Sequence, residues 1–205
     1  MSALRAFLSG QGGATAAEFA LVLPLSMLFL FGIIDAGRFG WDINRAEKAT
    51  QVGARWAVAT DVIPSGLSTY SFAVSGGISQ GTVVPKTAFG GIWCASNGTV
   101  TCTCDDSSAC DFGTTANSTA FNSLVSRMQE IDPAITAANV RVDYDWSGLG
   151  FAGDPNGPDV APIVKISLRN MQFRPLTLFL FNTDLPLPSF SYSLTMEDGS
   201  GTFSN

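Results

Sequence analysis

The chain predicts an α+β fold: a long N-terminal helix that passes from a membrane into water, then a domain with a small antiparallel sheet and at least one further helix. Three observations predict it. From Ala14 to Ile34 the only ionisable side chain is Glu18, over about the ~20 residues that a bilayer-spanning helix needs. Beyond that run, apolar or small residues recur at three- and four-residue spacing to about Ala59. Towards the C-terminus, strict two-residue alternation takes over.

The second part of the helix has a narrow apolar stripe. Phe39, Ile43, Ala46, Ala49, Gly53 and Trp56 form it, with Arg38, Asp42, Arg45, Lys48 and Arg55 on the opposite side. Arg38 and Asp42 stand at the favourable i,i+4 distance. Joined to the apolar run, the stripe gives a helix of about 46 residues, on the order of 70 Å long at ~1.5 Å per residue. Its distal part is expected to pack on the protein's own domain. Pro24 and Gly32 bend or soften the apolar part, since membrane helices tolerate both.

Pro64 and Gly66 end the helix within Asp61 to Gly66. Thr69 to Val74 and the surroundings of Cys94 and Thr101 read as short strands, with Asn97-Gly98 as a hairpin signal between the last two. Phe121, Leu124, Val125, Met128 and Ile131 form a helical stripe over 118–131 that stops near Asp132-Pro133. Val140, Val142, Tyr144 and Trp146 alternate with Arg141, Asp143 and Asp145, which predicts a strand with one wet face. Ile163 to Arg169 is a further strand, after the turn-rich Gly153 to Pro158. Phe190, Tyr192, Leu194 and Met196 alternate with Ser191, Ser193 and Thr195 in another. An antiparallel sheet covered by the 118–131 helix and the upper part of the long helix follows. Leu176 to Phe181 is too short to span a membrane and reads as core or a buried loop, with an exposed contact patch for a partner as the alternative.

Composition narrows the function classes. A net charge of −6 runs against nucleic-acid binding, which needs clustered Lys and Arg. The chain contains no histidine, which removes the commonest general base and zinc ligand together. No catalytic constellation, cofactor site or metal site is expected. Asp105, Asp106 and Asp111, like Asp154, Asn156 and Asp159, lack the alternating loop and distal Glu of a calcium-binding helix–loop–helix, and read as turn chemistry.

The four cysteines, Cys94, Cys102, Cys104 and Cys110, fall within one short stretch. Their C-x7-C-x-C-x5-C spacing lacks the paired knuckles of a zinc site, so two disulfides in an oxidising compartment are expected. Spacing leaves three connectivities open. A Cys102–Cys104 bridge is the least favoured, because alternate strand residues sit too far apart for disulfide geometry. Cys94–Cys102 with Cys104–Cys110 is the expected pairing.

The string Gly13-Ala14-Thr15-Ala16-Ala17-Glu18-Phe19, followed by apolar residues through Pro24, and Phe31-Gly32-Ile33-Ile34-Asp35-Ala36-Gly37-Arg38 resemble the TadE-like minor pseudopilins of tight-adherence (Flp) pili. Ala46 to Ala57, with Gly53-Ala54-Arg55-Trp56-Ala57, resembles the same pattern. The resemblance covers roughly the first sixty residues. It implies a prepilin leader at 1–13, cleavage by a prepilin peptidase between Gly13 and Ala14, a helix over 14–60 that spans the membrane at about 14–34, and an extracytoplasmic pilin-like domain over 61–205. It also implies partners: the peptidase, other minor pseudopilins and the pilus assembly platform, with membrane lipid around the helix.

Cleavage would free the Ala14 amine one turn from Glu18, offsetting a carboxylate that is otherwise costly in lipid. Glu18 then becomes a device for assembly registry. The implied location is the bacterial inner membrane, single-pass, with the C-terminal domain periplasmic or extracellular. A positive-inside count points the other way, since the leader holds Arg5 while Arg38, Arg45, Lys48 and Arg55 follow the span. The processing motif and the cysteines take precedence here. The alternative is an unprocessed single-pass envelope protein whose outer domain binds a partner or surface.

Overall fold

The computed structural model describes residues 14–155, 158–178 and 183–196. The first helix, α1, is Ala14–Ala59 and continues through Pro24 without a break. The fold is α+β: α1 is followed by a five-stranded antiparallel sheet and a second helix. The chain divides into two compact units, 1–42 with 172–185 and 43–171 with 186–205.

In the second unit the sheet runs β2-β1-β3-β4-β5, from β1 (Ile92–Ser96), β2 (Val100–Cys104), β3 (Val140–Asp145), β4 (Ile163–Leu168) and β5 (Phe190–Thr195). Ser96 pairs with Val100, so a three-residue connection closes the Asn97-Gly98 hairpin. Gly98 supplies its positive φ of 87°, which costs a residue without Cβ little. In β3, Val142 faces Cys94 on one side and Ile166 on the other. Ile92, Cys94, Val140, Val142, Tyr144, Val164, Ile166 and Leu168 are all buried on that face, as two-residue periodicity requires.

Helix α2 (Ser118–Gln129) contributes Phe121, Leu124, Val125 and Met128 to the same core. Asn117 caps it by accepting from the Ala120 amide at 3.0 Å, so Asn117-Ser118-Thr119 is a helix start. The 43–59 part of α1 meets α2 through small residues. A Cβ on Gly53 would come within 2.8 Å of the Met128 sulfur. Arg45 donates to Asp132 at 2.9 Å and to the Ile131 carbonyl at 3.4 Å, just past the end of α2. Where α1 has ended, the Ile63 amide donates to the Tyr144 hydroxyl at 3.1 Å, and burial pushes that phenol's pKa up.

Three expectations are corrected. Thr69 to Val74 forms turns: the Tyr70 amide donates to Gly66, the Ser75 amide to Ser71, and the Phe72 amide to buried Asp159 at 2.6 Å. No amide ladder remains for a strand. The wet face of β3 is partly covered, because Arg141 stacks over Trp93 at 4.2 Å and holds Asp143, which is buried. Leu176 is 49% exposed and does not behave as core. Phe179 to Phe181 of the same run lie outside the described residues, as do the leader 1–13 and Asn156-Gly157.

Candidate functional site

From Ala16 to Ile34, everything apolar on α1 is open. Each side chain from 16 to 34 is exposed, including Leu21, Leu25, Phe29 and Ile33, which follow one another at i+4. A helix that is apolar all round needs an apolar surrounding on every side. Its most apolar window reaches a mean hydropathy of 2.2, and none of that window is buried within the protein. This is the one described helix long and apolar enough to cross a membrane, and it is a candidate single-pass anchor. Glu18 lies exposed in its first turns. Four residues separate Glu18 from Ala14, where α1 begins, so both share one helix face. Gly13 lies outside the described residues.

The apolar surface stops at a clasp. Asp35, only 7% exposed, receives the Leu176 amide on Oδ1 and the Thr177 amide on Oδ2, each at 2.8 Å, and the Thr177 hydroxyl on Oδ2 at 2.8 Å. Arg38 turns back to Asp35 at 3.2 Å and also donates to the Arg174 carbonyl at 3.4 Å. Its guanidinium lies 5.3 Å from the Phe173 ring centre, and Phe39 meets that ring edge-on at 5.4 Å. Desolvation pushes the Asp35 carboxyl up, but the Thr177 and Leu176 amides, the Thr177 hydroxyl and Arg38 outweigh it and hold its pKa below the ordinary value.

Residues 13–55 match the TadE-like protein family. The match takes in the exposed run, Glu18, Asp35, Arg38, Arg45 and Gly53, and ends before the sheet domain. No curated protein and no solved structure matches the chain.

The TadE-like region therefore contains one half of the clasp, and the 172–178 loop outside it contains the other. Sequence reasoning assigned Asp35 no role. The available signal was a carboxylate at the last position of an apolar run with an Arg three residues on; what it binds is 141 and 142 residues away.

The cysteines form a separate feature on the hairpin. Cys94 and Cys102 are register partners of β1 and β2, with Cα atoms 4.1 Å apart, and are bridged. Cys104, the last residue of β2, is bridged to Cys110 across 6.1 Å between Cα atoms. The acidic groups nearby serve turns. Asp106 accepts from the Ser108 amide at 2.9 Å and from the Ser108 hydroxyl at 2.6 Å. Asp159 accepts from the amides of Phe72 and Asp154.

Proposed function

We propose that this chain is a membrane-anchored minor pseudopilin that takes part in assembling tight-adherence (Flp) pili. The observation that carries the reading is the TadE-like match over 13–55 lying on an apolar helix open on all sides. In this reading residues 1–13 are a leader removed by a prepilin peptidase, 14–60 the helix, with its span at about 14–34, and 61–205 the extracytoplasmic domain. The protein sits in the bacterial inner membrane, and its partners are the peptidase, other minor pseudopilins and the assembly platform. Its role is structural.

The mechanism follows from the exposed face. An all-round apolar helix exchanges lipid for a bundle of like helices without uncovering polar groups. Glu18 supplies the registry: its carboxylate pairs with the freed Ala14 amine of its own or a neighbouring subunit, and a misplaced subunit leaves a charge unpaired in lipid. Two of the cations after the span, which a positive-inside count would put on the cytoplasmic side, have uses in the folded protein. Arg38 holds Asp35 and Arg45 holds Asp132.

The intact mass of protein isolated from native membranes tests the reading. Mature chains beginning at Ala14 are expected, with precursor accumulating when Gly13 is replaced by a bulky residue. Native protein that keeps its leader would instead select the unprocessed envelope protein.

A further inference from the structure

The Asp35 clasp fixes a loop to α1 at the level where its apolar surface ends. Leu176 and Thr177 are bound through their amides to the residue that follows Ile33 and Ile34, and both isoleucines are exposed. One helical turn rises about 5.4 Å, so the Leu176 backbone lies within about a turn of the last side chains that face lipid in the proposed orientation. Its side chain has no role in the core and stands half in the open.

Two properties suit this loop to a bilayer surface rather than to bulk water. The Leu176 and Thr177 amides are already spent on a carboxylate, so the loop does not bring those donors bare into a poorly hydrated layer. The neighbouring charges also cancel locally: Arg38 faces Asp35, and Arg174 lies 3.8 Å from Asp184. Insertion therefore calls for no anionic lipid. Trp41, 65% exposed, stands six residues beyond Asp35, about 9 Å along the axis at ~1.5 Å per residue, on the side of the clasp away from the apolar run.

We propose that the Leu176 loop is a second membrane contact, an interfacial element that Asp35 holds against the headgroup layer and that sets how far α1 sinks into the bilayer. The contact is continuous with the apolar surface of α1 and rests on the reading that α1 spans a membrane. Its ligand is phospholipid, recognised by apolar insertion at the acyl boundary and not by headgroup charge.

The test uses full-length, disulfide-intact protein in phosphatidylcholine vesicles, with an environment-sensitive fluorophore on Leu176→Cys and, separately, on Phe29→Cys. At Leu176→Cys the expected result is blue-shifted emission, quenching by a nitroxide carried near the lipid headgroup, and loss of quenching by aqueous iodide. Adding Asp35→Asn should return that label to water while the label at Phe29→Cys stays in lipid. An aqueous spectrum at Leu176→Cys beside a lipid-quenched Phe29→Cys overturns the loop contact alone. Iodide protection without lipid quenching also overturns it, since protein then covers the loop. A label that stays in lipid despite Asp35→Asn refutes the clasp as its anchor, and an aqueous Phe29→Cys label overturns the spanning reading itself.

Discussion

Between Ala16 and Ile34, α1 exposes every side chain, whereas between Ala46 and Val58 it buries Ala46, Ala49, Thr50, Gly53, Ala54, Ala57 and Val58. The two stretches belong to one helix but meet different surroundings. The first is large and apolar on all sides, with Leu, Phe and Ile at successive turns. The second confines burial to a stripe of mostly small residues, which lets another element approach closely, as Met128 does at Gly53. Charge follows the same division. The exposed stretch carries Glu18 alone, while Arg45, at the head of the later one, pairs with a carboxylate of its own domain. Apolar content by itself therefore says little about burial; the side-chain size and the width of the stripe separate the exposed stretch from the core-facing one.

Arg45→Ala is the strongest way to sharpen this contrast. It leaves Asp132, which is buried, without its cation, and such breaks cost several kcal/mol in a fully buried pair. With Arg45 about one-third exposed, we expect about 2 kcal/mol, close to a charged hydrogen bond, read as a lowered denaturation midpoint. Membrane partition should not change.

A smaller effect is expected at the clasp. Because the folded Asp35 pKa lies below its ordinary 3.8, the clasp contributes fully above the unfolded value and is lost as pH falls through the lower folded one. Exchange protection at the Leu176 and Thr177 amides should therefore hold at pH 5 and drop only below the ordinary carboxylate range. Protection lost already near neutral pH would contradict the hydrogen bonding seen at Asp35.

Glu18→Gln should move domain stability least of all, since Glu18 is exposed on the apolar stretch. Insertion and processing are expected to continue. On the proposed pseudopilin reading, co-purification with partner pseudopilins and piliation should fall, and wild-type levels of both would remove the registry role.

Periodicity made much of this fold readable before any coordinates. β3, β4, β5 and α2 lie where alternation and the Phe121-to-Met128 stripe put them, and α1 runs to Ala59. Tyr70, Phe72 and Val74 imitate the same alternation, yet they lie in turns. The Phe72 amide is taken by Asp159, 87 residues on, and no local pattern encodes that. Asp143 was misread as wet for a related reason, because the Trp93–Arg141 stack beside it joins separate strands. The candidate site divides likewise. The exposed span and Glu18 are written in consecutive residues, whereas the Asp35 clasp exists only after a distant loop has returned to α1.

The placement of the two bridges has a mechanical consequence for the chain under tension. Both close short loops, with sequence separations of 8 and 6, and both lie within residues 94–110. Tension applied at the ends of the chain meets no covalent shortcut between α1 and the later strands β3, β4 and β5. It is borne by non-covalent contacts, the ladders, ion pairs, side-chain hydrogen bonds and packed core. Once those yield, the chain pays out about 3.3–3.6 Å for each freed residue, and only the stretch around the hairpin keeps its slack locked away.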